Sequence, residues 1–207
     1  MSQTVDDFST AASEELIQRV AEKLSERNMQ VVVVDDGDAA RSVVLESLPD
    51  GAEIHSGKSK TLEDAGILKE LQESGRYDFL RHRYLKMDRK TQAREIRKLI
   101  AAPDFMLGSV QAVTEDGLLV ATSATGSQLG AYATGGGKVI LVVGSQKIVP
   151  DLEAALRRIR EHVFPWEDAR VRESLGVGTV VGKILIIERE WQAQRTTVVL
   201  VRQPIGV

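Results

Sequence analysis

The sequence predicts an α/β fold in which helices cover both faces of a mainly parallel sheet. Strand-like and helix-like segments alternate along the chain, which is the order of parallel sheets with helical crossovers. The runs at residues 31–34 and 139–143 are apolar at every position, as expected of strands buried on both faces. The 207 residues suit one domain. We expect it to span residues 13–207, behind a flexible N-terminal segment of residues 1–12.

The first half of the chain contains three helical patterns separated by two strands. Apolar side chains recur at helical spacing from Leu16 to Leu24. Asp38 and Thr61 precede later helical patterns and can act as N-caps, and a Pro-Asp-Gly turn at residues 49–51 ends the second helix. The predicted elements are helix 13–27, strand 31–34, helix 38–48, strand 53–55 and helix 61–74.

The second half of the chain is richer in strands. Asp88 can cap the next helix, Asp116-Gly117 between two apolar runs indicates a hairpin, and Pro150 can open another helix. The predicted elements are helix 89–102, strands 105–107, 112–114 and 118–121, strand 139–143, a helix from residue 150, helix 167–175, and strands 183–187 and 196–201.

Composition excludes several classes of function. A net charge of −3 and an aromatic content of 4% are unlike a nucleic-acid-binding surface. The chain has no cysteine, which excludes disulfides, thiolate metal sites and a cysteine-ligated iron–sulfur cluster held by this chain alone. The three histidines, His55, His82 and His162, lack metal-binding spacing. We therefore expect no metal site and no cofactor bound stably by this chain alone.

The sequence is typical of a soluble cytoplasmic protein. Its polar, acidic N-terminus lacks the basic and apolar regions of a signal peptide. The longest apolar runs are too short to span a bilayer, so we expect no membrane insertion. A homo-oligomer is compatible with the sequence.

In open α/β sheets, ligands bind near the carboxyl ends of strands, so the loops after strands are the candidate sites. Gly57, Lys58, Ser59 and Thr61 follow a strand and open a helix, a place that attracts phosphate, carboxylate or coenzyme A. The alternative is a capped helix with solvated lysines. A P-loop is rejected, because five residues separate Gly51 from Gly57 where the motif needs four.

Three further loops are candidates, each with a plainer alternative. One is dense in hydroxyls and could bind polar oxygens, or be a polar loop with an N-cap; it contains Ser123, Thr125, Gly126, Ser127 and Gln128. Lys147 follows the strand at 139–143 and could neutralise an anion, or be a surface lysine. Glu115 could act as nucleophile or general base, or be a solvated turn residue. We expect all four loops to meet around one cleft.

Several sequence segments, taken in their order along the chain, resemble the lactate-utilisation (LUD) domain family, which includes the lactate utilisation protein C group. The resemblance rests on SGKSKTLEDAGI, TEDGLLVATSATGSQLGAYATGGGKVILVVGSQKIVPDLEAALRRI, VGKILIIERE and TTVVLVRQPIG. It implies a Rossmann-like sheet similar to the coenzyme A transferase and ribose-5-phosphate isomerase group. Gly57-Lys58 departs from the paired glycines of the family. Glu115-Asp116-Gly117 is similar to the turn that holds the nucleophilic glutamate of coenzyme A transferases.

Three functions follow. The resemblance implies a component of L-lactate oxidation to pyruvate that acts with iron–sulfur or flavin-containing redox subunits. The anion-friendly loop and Glu115 favour instead an enzyme for a phosphorylated or coenzyme A-linked small molecule. The lack of cysteine and of a strong catalytic triad fits a non-catalytic interaction subunit.

Overall fold

The computed structural model describes residues 7–207. Ten strands form two sheets. In chain order they are β1 (Gln30–Val34), β2 (Glu53–Ser56), β3 (Asp78–Phe79), β4 (Phe105–Gly108), β5 (Ala112–Thr114), β6 (Leu119–Ser123), β7 (Lys138–Gly144), β8 (Ile148–Val149), β9 (Lys183–Ile187) and β10 (Thr196–Val201).

Eight α-helices connect and cover these strands. They are α1 (Glu14–Glu26), α2 (Gly37–Glu46), α3 (Lys60–Asp64), α4 (Ile67–Glu73), α5 (Leu80–Tyr84), α6 (Ala93–Ala101), α7 (Leu152–Arg158) and α8 (Phe164–Leu175). Two π-helical turns, Ala131–Gly135 and Ile159–Val163, and a 3₁₀ turn, Ser145–Lys147, complete the regular structure of the described part of the chain.

The larger sheet is parallel throughout, with the strand order β1-β10-β7-β4-β2-β3. This confirms the predicted Rossmann-like α/β fold. A second sheet, with the order β8-β5-β6-β9, was not predicted. Its β5–β6 pair is antiparallel, and the intervening turn has Gly117 at φ +91°, a conformation that favours glycine. The hairpin predicted at Asp116-Gly117 is therefore confirmed.

Successive residues of β7 point to opposite faces of the large sheet and so contact two different cores. Val139, Leu141 and Val143 pack with α1 and with strands of the second sheet. Ile140 and Val142 pack with α2, α3 and α4. Helices thus lie on both faces, and on one face α1 shares the cover with the second sheet.

Several helices begin at residues other than those predicted. The N-cap of α2 is Asp36, which accepts a hydrogen bond from the Ala39 amide, rather than Asp38. The N-cap of α3 is Ser59 rather than Thr61. The helix predicted at 61–74 is two helices, because Gly66 takes a left-handed conformation at φ +71°.

The start predicted for α6, at residue 89, is also wrong. Asp88 closes a turn by accepting from the Lys90 amide and the Thr91 hydroxyl, so the helix begins only at Ala93. In the predicted helix from residue 150, Asp151 is the N-cap, and Pro150 precedes it.

The N-terminal segment is described from Asp7 onward, so residues 1–6 of the predicted flexible segment lie outside the described residues. Phe8 packs with the small core of the second sheet and α7. The Arg158 guanidinium lies 5.9 Å from the centroid of its ring. Over residues 7–207, no helix has the length and apolarity needed to cross a bilayer.

The direction of the connections changes between β2 and β4. After β2 the chain continues to the edge strand β3, whereas after β4 it continues toward β7, on the other side. Neighbouring loops therefore diverge at the carboxyl ends of these two strands. In open α/β sheets this divergence creates the crevice where ligands bind.

Candidate functional site

A cavity of about 580 Å³ opens at the carboxyl edge of the large sheet, where the connections diverge. Three of the four predicted loops meet there: those that follow β2, β6 and β7. The predicted residues that line it are Gly57, Lys58, Ser59, Thr61, Ser123, Thr125, Ser127, Gln128 and Lys147. Gly126 belongs to the loop after β6 without being one of the lining residues.

Lys147 is the buried centre of this site. The short turn after β7 places it inward, and only 2% of the residue is exposed. Its Nζ donates to Thr61 Oγ1 at 2.8 Å and to Ser109 Oγ at 3.1 Å. Burial lowers the pKa of Lys147 to about 7, because the charged form loses its water. The surface-lysine alternative is therefore wrong.

The loop after β2 brings further cationic groups to the cavity. Ser59 Oγ accepts from the Leu62 amide at 3.3 Å and so caps α3. Lys60 forms an ion pair with Asp64, and this carboxylate raises the pKa of Lys60. Since α3 has only five residues, attraction for an anion comes from the lysine side chains rather than from a long helix dipole.

The hydroxyls after β6 mostly bind within their own loop. Ser123 Oγ donates to Gln128 Oε1 at 3.0 Å and accepts from the Gly126 amide at 3.0 Å. Ser127 Oγ donates to the same Gln128 oxygen at 3.3 Å, and the Thr125 hydroxyl accepts from the Ser127 amide at 3.4 Å. The internal hydrogen bonds fit the polar-loop alternative, while the position of the loop makes it one wall of the cavity.

Glu115 does not join the other candidates, so the expectation that all four loops share one cleft is not met. Its Oε2 accepts from Arg19 Nη2 at 2.7 Å, beside α1, and it is not among the residues that line the cavity. The carboxyl-end rule concerns parallel strands, whereas Glu115 lies in the antiparallel β5–β6 hairpin.

The cavity has an excess of basic side chains. Six cationic side chains line it and only one acidic side chain, Glu167, does so. The cations are Lys58, Lys60, Arg81, Arg89, Arg97 and Lys147. The three arginines come from or precede α5 and α6 and were missed, because a charged run in sequence is typical of a solvated surface. Ser109 was missed too, although its position directly after β4 was a usable signal.

His55 is a second buried polar group that was not predicted as a site residue. It lines the cavity and is 3% exposed, and neither ring nitrogen has a hydrogen-bond partner in the described protein. Burial lowers the pKa of His55 to about 4, with a smaller effect of Arg81. The imidazole is therefore neutral near pH 7, with one donor and one acceptor nitrogen that are both shielded from solvent.

The arrangement suits an organic anion better than a metal ion. The cations attract negative charge, and hydroxyls of the lining can supply hydrogen bonds. Within residues 7–207, no group of three or more His, Asp or Glu side chains is placed to hold a metal ion.

Comparison with known proteins identifies a family and solved structures of similar fold. The model of the LUD domain matches residues 17–201, whereas no curated protein matches the sequence. A crystal structure of a DUF162 family protein from Deinococcus radiodurans is similar with a TM-score of 0.56 and 10% sequence identity, over 93% of this chain and 99% of that one. The eIF2B delta structure from Chaetomium thermophilum has a TM-score of 0.36 and 15% identity, over 70% and 57% of the two chains.

Proposed function

Because the chain belongs to the LUD domain family, we propose that it is a component of L-lactate utilisation that binds lactate or pyruvate in the cavity over Lys147. The observation that carries this proposal is the cationic cavity itself, with six cationic side chains and one acidic side chain. A carboxylate entering it gains several charge-assisted hydrogen bonds, which are roughly twice as strong as neutral ones.

Redox partner subunits are the second part of the proposal. Oxidation of lactate to pyruvate releases two electrons, which need an acceptor. The chain contains no cysteine, so a thiolate-ligated iron–sulfur cluster would have to lie outside these 207 residues. We propose that an iron–sulfur or flavin-containing subunit accepts the electrons while this chain holds the carboxylate.

A second candidate function is binding of a phosphorylated or coenzyme A-linked small molecule. The favouring observation is that the cavity, at about 580 Å³, lies in the range of sites for ligands larger than lactate. Its cations also exceed what one monocarboxylate needs. The predicted likeness to coenzyme A transferases gives Glu115 no role here, since Glu115 lies outside the cavity.

Lactate and pyruvate are expected to raise the melting temperature of the purified protein, because a ligand that binds only the native state stabilises it. Lactamide has the same hydroxyl but no charge, and at matched ionic strength it is expected to have no effect. Thermal shift and calorimetry are the measurements. Glu115→Gln is the matched control variant and is expected to bind as the unmodified chain does.

Sugar phosphates and coenzyme A are tested in the same thermal-shift and calorimetry experiments. A response to sugar phosphates or coenzyme A alone would replace lactate utilisation with the second candidate function. No response to any anion would contradict both and would leave an interaction subunit as the better description.

The partner proposal predicts that the purified chain is colourless and does not reduce an artificial electron acceptor with lactate. When the tagged chain is isolated gently from its host, we expect a co-purifying subunit with iron–sulfur or flavin absorbance that lactate bleaches. Lactate-dependent bleaching of a stoichiometric flavin in the isolated chain would contradict the need for a partner.

A further inference from the structure

Two of the three lysines that line the cavity lie in opposite electrostatic settings. Lys60 pairs with Asp64, which raises the pKa of Lys60 and keeps its amine protonated. Lys147 is hydrogen-bonded only to the hydroxyls of Thr61 and Ser109, and no carboxylate within residues 7–207 forms an ion pair with it. These two lysines therefore provide one amine that stays protonated and one that can lose its proton.

Three charged or titratable groups act on Lys147 from the elements packed around it. Burial lowers the pKa of Lys147 most, Arg158 on α7 lowers it further, and Asp64 on α3 opposes both. His162 is the third group: burial lowers its pKa most, and the charges of Arg158 and Lys147 lower it further. The balance leaves a substantial share of the amine neutral near pH 7. Neutral, desolvated lysines are the ones that react with carbonyl groups.

We infer that Lys147 forms a covalent imine with the carbonyl carbon of a 2-oxo acid bound in the cavity. The geometry that supports this is a buried lysine that lines a cavity, with its amine hydrogen-bonded to two hydroxyls and with five other cationic side chains on the same cavity lining. Those cations would hold the carboxylate while Nζ meets the adjacent carbonyl carbon. This inference rests on the proposed function, since pyruvate is the 2-oxo acid formed from lactate.

The reaction balances without an external oxidant. The Nζ lone pair attacks the carbonyl carbon, the C=O π electrons move to oxygen, and one proton passes from nitrogen to that oxygen to give a carbinolamine. A second proton, from solvent, converts the hydroxyl to water, which leaves as the nitrogen lone pair forms the C=N bond. The hydroxyls of Thr61 and Ser109 accept from Nζ and, after rotation, can donate to the carbinolamine oxygen.

The inference is tested by trapping with borohydride. The intact protein is incubated with pyruvate, reduced, digested and mapped by mass spectrometry. Reduction of the iminium adds hydride to its carbon and leaves a stable secondary amine on the modified lysine. At pH 7.4 an exposed lysine of pKa about 10.4 is neutral in only about one molecule in a thousand, whereas most of the Lys147 amine, with a pKa of about 7, is neutral. We therefore expect at least roughly a hundredfold more adduct at Lys147 than at an exposed lysine.

Two variants and a pH series serve as controls. Lys147→Arg keeps a cation but cannot form the imine, so its specific adduct should disappear. Lys138→Arg changes an exposed lysine at the other end of β7 and should leave the Lys147 adduct intact. The initial rate of adduct formation should rise as the pH is raised from about 6 to about 8, through the pKa of Lys147 near 7.

The outcomes separate the imine from the proposed function. Pyruvate that binds by calorimetry but leaves Lys147 unmodified, or modifies all lysines alike, would overturn the imine and leave carboxylate binding in place. If neither pyruvate nor lactate binds, the proposed function fails. A specific adduct at Lys147 in the chain without substitutions supports the inference even if the Lys147→Arg variant does not fold.

Discussion

Replacement of Arg195 by leucine is expected to lower the free energy of unfolding by about 3–5 kcal/mol, the range for breaking a buried ion pair on one side. The side chains of Arg195 and Glu190 are only 8% and 9% exposed, and Arg195 Nη1 lies 2.9 Å from Glu190 Oε1. Arg195 also donates to the backbone carbonyls of Ala131, Tyr132 and Gly136. The variant would leave a buried carboxylate and three carbonyls without this donor.

Denaturant unfolding measures this loss. Arg41→Leu is the matched control, because Arg41 and Asp38 form an exposed ion pair on one helix, and such pairs contribute at most about 1 kcal/mol. Since Arg195 holds the turn that carries Tyr132 into the cavity wall, carboxylate binding should weaken as well. A loss below about 1 kcal/mol for Arg195→Leu would show that the buried pair is not needed for stability.

Replacement of Lys147 by methionine is expected to weaken lactate binding near pH 6 by at least about 2 kcal/mol, or roughly 30-fold. At that pH most of the amine is protonated, because its pKa is about 7, and the variant removes a buried cation from the anion site. Calorimetry measures the change. The unmodified chain should itself bind lactate less tightly as the pH rises through 7, and the variant should lose this dependence.

Lys147→Met should weaken lactate binding without lowering the free energy of unfolding. The pKa of Lys147 is about 7 in the folded chain against an ordinary 10.5, so between these values the unfolded chain binds more protons. Stability of the unmodified chain should therefore rise with pH across this window, and the burial penalty is largest below pH 7. Lys147→Met removes that penalty and should be as stable or more stable near pH 6.

For the binding prediction, equal lactate affinity of Lys147→Met and the chain without substitutions would contradict the role of Lys147.

The local sequence pattern predicted the positions of the strands better than the sheet to which each strand belongs. Residues 183–187 and 196–201 coincide with β9 and β10, yet the two strands belong to different sheets. Ile184 and Ile186 of β9 are 37% and 38% exposed, whereas Val198 and Leu200 of β10 are fully buried. Both runs are β-branched and apolar, and pairing depends on contacts that are distant in sequence.

The candidate site shows the same division between local and distant information. Lys147 and Thr61 were found because each follows a strand, and 86 positions of sequence separate these hydrogen-bonded residues. The unpartnered His55 and the cations of α5 and α6 were missed, because burial and the convergence of charge appear only when the elements pack. Glu115 was included because it follows a strand, although that strand belongs to the predicted hairpin and the carboxyl-end rule concerns parallel strands.

The position of β1 in the large sheet has a consequence for how the chain folds. Among the described residues, β1 is an edge strand and pairs with β10 alone, and Gln30 lies opposite Thr197. During synthesis β1 therefore emerges long before its neighbour, and its apolar residues have no strand to pair with in this sheet. Pairings so distant in sequence slow folding and expose aggregation-prone surface. The pairing of β1 with β10 therefore cannot form until residues 196–201 have been synthesised.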